Sequence, residues 1–185
     1  MSTGFDLACA FTLAADIEGG RYDGKGSHDP NPTNIGITFR TLIDAHYDVD
    51  QDGDIDLDDL WALTPEKAKK IYEPRYWLAA HCHELPLPVA IAHFDTAVNC
   101  GPGRALKILH DALDIKRSNP GYGRFGPLTR SLVDNAVPFY LLDRQTIARL
   151  EFYNTLVRER PAKKPALGHW LYRTLKCNRH ARDVV

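Results

Sequence analysis

Seven aspartates crowd into the twelve residues Asp48–Asp59, DVDQDGDIDLDD, of a chain whose formal charge is only −1. Carboxylates this close repel and raise one another's pKa, so the cluster asks for a cation. Asp stands at positions 1, 3, 5, 7, 9 and 12 of the stretch, and Gly53 stands at position 6. That spacing presents hard oxygens. Asp48, Asp50 and Asp52 offer side chains, Asp54 its backbone carbonyl, Asp56 a direct or water-borne contact, and Asp59 closes the ring. Calcium takes roughly six to eight such oxygens, and glycine permits the sharp turn between them.

The stretch matches the calcium loop of an EF-hand, with Ile55 as the apolar anchor at position 8. Asp59 replaces the usual closing Glu, which shortens the reach and predicts modest affinity. The loop has no second copy, and its exit segment Leu57–Leu63 is cut short by Thr64-Pro65. A sensor opens a paired hand, so this loop predicts a structural Ca2+ ion. His81-Cys82-His83 does not read as a zinc site, because neighbouring side chains diverge and no second ligand pair is near.

The second stretch able to do chemistry is IEGGRYDGKGSHDPNPTNIGIT, Ile17–Thr38. Its blocks Glu18-Gly19-Gly20, Asp29 and Thr33-Asn34-Ile35-Gly36-Ile37-Thr38 resemble glycoside hydrolase family 108, the phage endolysin and bacterial N-acetylmuramidase family. LTPEKAKKIYEPRYW (Leu63–Trp77) and LPLPVAIAHFDTAVNCGPGRALKILHDAL (Leu85–Leu113) continue the likeness. GRFGPLTRSLV and GHWLYRTLK resemble the peptidoglycan-binding segment that usually follows. Arg21 stands where the family has a Tyr, Tyr22 comes one place later, and the acidic loop looks like an insertion.

The resemblance implies a peptidoglycan hydrolase that cleaves the β-1,4 bond between N-acetylmuramic acid and N-acetylglucosamine. Glycoside hydrolysis needs an acid for the leaving oxygen and a second group for the oxocarbenium-like centre. Glu18 is the expected acid, at the C-terminal end of a helix whose partial negative charge would raise a carboxyl's pKa. Asp29 is the expected second carboxylate, with Asp23 as its competitor, and Thr38 or Thr33 would hold the water. Tyr22, Tyr76 and Trp77 could stack on sugar rings, with core packing as the competing role for Trp77. Asn34 joins the expected substrate contacts. Two other readings stay open: a non-hydrolytic peptidoglycan-binding or secretion-activating protein, and a lytic transglycosylase. A calcium-responsive interaction protein is a further alternative.

The elements that must position these groups read as helices almost throughout. Apolar spacing predicts helices over Phe5–Ile17, Phe39–Tyr47, Pro88–Asn99, Arg104–Leu113, Pro127–Asn135, Pro138–Arg158 and Ala166–Lys176. Thr64-Pro65-Glu66 combines a capping threonine, a first-turn proline and an acid that suits the macrodipole, so another helix starts there and runs toward Trp77. Only Ile35–Thr38 suggests a short strand or turn. The expected fold is all-α and lysozyme-like, a helical globule with at most a short hairpin near the site. Residues 1–97 form the expected catalytic region, with the loop at 48–59, and residues 98–185 the peptidoglycan-binding-like region in the same globule.

The 185 residues are 44% hydrophobic, enough for a core. Residues 1–64 hold thirteen acids against three bases, and residues 140–185 ten bases against four acids. A basic tail, in which Arg173, Lys176, Arg179 and Arg182 cluster, suggests an anionic partner, here the bacterial envelope, with no nucleic acid. Leu7–Ala15 lacks the basic flank of a signal peptide. A monomeric lytic enzyme is expected, held in the host cytoplasm until holin-type release to the periplasmic peptidoglycan. Cys9, Cys82, Cys100 and Cys177 show no pairing pattern and are expected to be reduced.

Overall fold

Prolines set where most of the helices begin. Pro65, Pro88, Pro102, Pro127 and Pro138 each occupy a first-turn position, where the missing N–H costs nothing and the ring's fixed φ suits the helix. A computed structural model describes residues 3–14, 16–18 and 32–184. Its helices are α1 (Gly4–Thr12), α2 (Phe39–Ala45), α3 (Leu57–Trp61), α4 (Pro65–Tyr72), α5 (Leu87–Cys100), α6 (Pro102–Ala112), α7 (Pro127–Asp134), α8 (Pro138–Glu159) and α9 (Leu167–Asp183). A two-stranded hairpin, β1 (Thr33–Asn34) and β2 (Ile37–Thr38), precedes α2. The expectation of a mainly α, lysozyme-like fold with one short hairpin therefore stands for the described residues. None of their helices is long and apolar enough to cross a membrane.

The chain divides into two units: residues 1–8 with 75–185, and residues 9–74. The expected boundary at 97/98 falls instead inside α5. The division runs through α1 and through a π-helical stretch, Glu73–Leu78, that continues from α4.

The larger unit is built around α5, which packs against α6, α8 and α9. Every residue from Pro88 to Ala97 is buried, as expected of a helix surrounded on all sides. Phe5, Trp77 and Phe94 meet with ring centroids 5.6–5.8 Å apart. Several polar side chains inside this core are paired, although Gln145 Oε1 and Arg149 Nη2 have no hydrogen-bond partner. Asp95 accepts from Arg149 and Arg173. His93 Nε2 donates to the Ala80 carbonyl and its Nδ1 accepts from Gln145. Burial pushes the His93 imidazole down to about 4, so it sits neutral between these partners.

The smaller unit packs the hairpin, α2, α3 and α4 around Ile35, Ile37, Leu42, Leu60 and Ile71. Thr38 caps α2 by accepting from Thr41 N at 3.1 Å, and Thr64 caps α4 by accepting from Lys67 N at 3.3 Å. The hairpin turn is Ile35-Gly36, with φ of 49° and 69°. Two residues of positive φ match the twist of a two-residue hairpin. Gly36 accepts that geometry readily, whereas a β-branched Ile35 is strained there, by roughly 1–3 kcal/mol.

Candidate functional site

Helix α1 stops at Thr12, short of the expected Ile17. The chain then turns back: Ile17 N donates to Ala14 O at 2.9 Å and Glu18 N to Thr12 O at 3.2 Å. Glu18 thus hangs from a turn after the helix and not from its last residue. This turn carries the carboxylate to the hairpin. A methyl group placed on Gly36 would stand 2.8 Å from Glu18 Oε2, 3.0 Å from Glu18 Cβ and 2.5 Å from Tyr72 Oη. Only glycine leaves room for both oxygens at that point. Tyr72 closes the back of the turn by donating its hydroxyl to the Ile35 carbonyl at 2.9 Å, in a buried position.

The block Thr33–Thr38 is therefore the wall of the Glu18 site. Thr33 and Thr38 are paired across the hairpin, as are Asn34 and Ile37. Thr38 Oγ1 lies 2.9 Å from Thr41 Oγ1 as well as capping α2. Asn34, expected among the substrate contacts, is only 1% exposed, and its amide donates to Leu60 O at 2.8 Å. It ties the hairpin to α3 and faces no solvent. Trp77, expected on a sugar ring, is 7% exposed and packed against Phe5 and Phe94, so it is a core aromatic. Tyr76 is half-buried in the other unit. Gly19, Gly20, Tyr22, Asp23 and Asp29 lie outside the described residues. Tyr72 had no distinguishing mark in the sequence beyond its helical apolar spacing.

The acidic loop closes on itself through its aspartates. Asp48 accepts from Gln51 N and Gly53 N at 2.5 and 3.0 Å. Gly53 takes φ of 105° at the sharp turn. Asp59, buried, accepts from Val49 N, Asp50 N and Asp56 N, and Asp56 caps α3. Burial pushes the Asp59 carboxyl up, but those three N–H donors and Lys67 outweigh it and hold the carboxyl below the usual range. Asp50 is pushed up by desolvation and by the charges of Asp52, Asp59 and Asp48. Asp54 is pushed up first by Asp52, then by desolvation and by Asp56. Oxygens of Asp48, Asp50 and Asp52 lie within 4.8 Å of one another, as do those of Asp54, Asp56 and Asp59. Two triads of hard carboxylate oxygens in mutual repulsion suit a calcium ion.

Around the basic tail, the structure corrects one assignment. Arg173, expected on a surface facing anions, is 1% exposed and forked onto Asp95. Arg182 pairs with Asp143 at 2.5 Å. Lys176 lies over the Tyr172 ring, and Arg179 is exposed.

Residues 11–101 match the family described as Glycosyl hydrolase 108. The match spans Glu18, the hairpin, the acidic loop and α5, and stops at Gly101, where α6 begins. Among solved structures, that of Brucella abortus SagA is 26% identical, covers 97% of this chain and 94% of its own, and superposes with a TM-score of 0.74. No curated protein matches.

Proposed function

We propose that this chain is a peptidoglycan hydrolase of the glycosyl hydrolase 108 type, the family whose model matches residues 11–101. Glu18 is the general acid, protonating the bridging oxygen of the β-1,4 link between N-acetylmuramic acid and N-acetylglucosamine. The observation that carries this reading is the seat of Glu18 against Gly36, in a turn that leaves space for its carboxylate and little else. Asp29 is the second carboxylate, directing water or stabilising the oxocarbenium-like centre. Thr33 and Thr38, opposite one another on the hairpin, flank the water's approach, and Tyr22 offers its ring to the sugars. Asp48, Asp50, Asp52, Asp54, Asp56 and Asp59 hold one calcium ion, which neutralises the loop and joins α3 to the segment after α2. The enzyme is a monomeric phage lytic protein, retained inside the host until a holin-type lesion admits it to the wall.

Zymography on purified peptidoglycan tests the acid. Glu18→Gln folds normally and loses lysis by about a hundredfold or more, the scale of losing general acid catalysis. Near-normal clearing by that variant overturns the assignment. The mass of the released fragments separates reactions: a reducing muramic end marks hydrolysis, and an anhydro end marks a transglycosylase. Expression inside bacteria with and without a co-expressed membrane pore tests the setting, since lysis without the pore removes the need for holin-type release.

A further inference from the structure

We propose that Tyr72 is a positioning residue for Glu18, acting through the Ile35-Gly36 turn. The proposal rests on the reading of Glu18 as the general acid. Tyr72 is the last residue of α4 and is 1% exposed, so its ring is fixed by packing and its hydroxyl is not available to substrate. The single hydroxyl proton is committed to the Ile35 carbonyl at 2.9 Å. That bond clamps a turn whose first residue holds an unfavourable φ of 49°. A strained turn persists only where its surroundings over-determine it, and Tyr72 supplies that constraint from 37 residues away.

The clamp matters because the turn is the surface against which Glu18 rests. The Tyr72 oxygen and Glu18 Oε2 converge on the one point above Gly36 where no side chain stands. A carboxyl that must deliver a proton along one direction needs such a backing. Small displacements of a reacting group cost large factors in rate, while substrate binding through other contacts is retained. Tyr72 therefore acts on the chemical step without touching the glycan.

Tyr72→Phe keeps the ring and deletes the hydroxyl that makes the clamp. Saturation curves on solubilised peptidoglycan should show kcat lower by about tenfold to a hundredfold, with apparent KM essentially unchanged and the protein still folded by circular dichroism. Gly36→Ala keeps the hydroxyl but drives a methyl into both oxygens, and should give the same kcat-selective loss. If Tyr72 works only through Glu18, Tyr72→Phe/Glu18→Gln is no slower than Glu18→Gln alone. Wild-type kcat in Tyr72→Phe, beside an inactive Glu18→Gln, overturns the proposal and leaves the Glu18 reading standing. Retained lysis by Glu18→Gln removes that reading and the proposal with it. Should Tyr72→Phe not fold, a folded Gly36→Ala with unchanged kcat overturns the proposal, and a kcat-selective loss supports it.

Discussion

Asp95 on α5 and Arg173 on α9, 78 residues apart in the chain, meet in a buried fork with Nη2 and Nε at 2.8 and 3.0 Å from one carboxylate oxygen. Arg149 of α8 reaches the other oxygen at 2.8 Å. One carboxylate thus holds three helices, and it offsets two guanidinium charges in a space without water-facing surface. Asp95→Ala leaves both charges uncompensated and should destabilise the protein by about 3–5 kcal/mol, read from urea unfolding midpoints. A loss below about 1 kcal/mol would show that the two arginines find other partners.

The same carboxylate has a pH signature. Burial pushes Asp95 toward the neutral acid, but Arg149 and Arg173 outweigh it and hold its pKa below the ordinary value. Its contribution is present above the unfolded pKa and disappears as pH falls through the lower folded one. Acid unfolding of the wild type should therefore steepen below about pH 4. Asp95→Asn should flatten that part of the curve, and an unchanged acid limb in the variant would assign the transition to other carboxylates.

His93 acts in a different window. Its folded pKa of about 4 lies below the ordinary imidazole value, so the neutral ring's contribution is intact above about 6.5 and is lost as pH falls toward 4. Protonation also sets an N–H at Nδ1 against the amide that Gln145 donates there. Melting temperature should fall through this range in the wild type and fall less in His93→Gln. Equal slopes in the two proteins would exclude His93 as the source.

Calcium, if it joins the acidic loop as proposed, stabilises the folded form by RT ln(1 + [Ca]/Kd), roughly 2.7 kcal/mol at a hundred times Kd. Chelation should lower the melting temperature with a smaller loss of activity well below it. Asp52→Ala should reproduce the chelated state and ignore added calcium. Asp59→Ala should be worse than either, because its carboxylate also receives three backbone N–H groups. Titration calorimetry without heat, together with unchanged melting, would leave the loop as a self-capped acidic turn. Complete loss of activity at all temperatures would move the ion into the chemistry.

Envelope binding through the tail needs a revised set of residues. Neutralising Arg173 would open the core, so the informative variant changes Lys163, Lys164, Lys176 and Arg179 to Gln. Binding to whole envelopes should weaken at low salt and converge with the wild type as salt rises. Indistinguishable binding at low salt would reduce these charges to a solvated face.

The sequence was most legible where structure is decided by neighbours in the chain. Thr64 and Pro65 start a helix through local caps, and Ile35–Thr38 makes its hairpin through a local turn. The reading failed where a partner is remote. Arg173 looked like surface charge because its periodicity says nothing of Asp95, and Asn34 looked like a sugar contact because nothing local points to Leu60. The early end of α1 went unseen because Leu13, Ala14 and Ile17 are apolar past the break. Tyr72 drew no functional expectation, since only the hydroxyl's destination sets it apart.

The division of the chain also sets an order of assembly during synthesis. Residues 9–74 are contiguous, so the contacts that the Glu18 turn, hairpin and acidic loop make within that unit can form once Pro74 has emerged from the ribosome. Residues 3–8 precede them but belong with what comes last. Phe5 waits for Trp77 and Phe94, and the Leu7 carbonyl waits for His180 Nε2, its partner at 3.4 Å. A nascent chain paused after Pro74 therefore presents an unsatisfied apolar leading turn ahead of a segment already able to close. Chaperone capture at that stage should centre on Phe5, and slowing translation beyond α4 should lengthen the interval in which it is exposed.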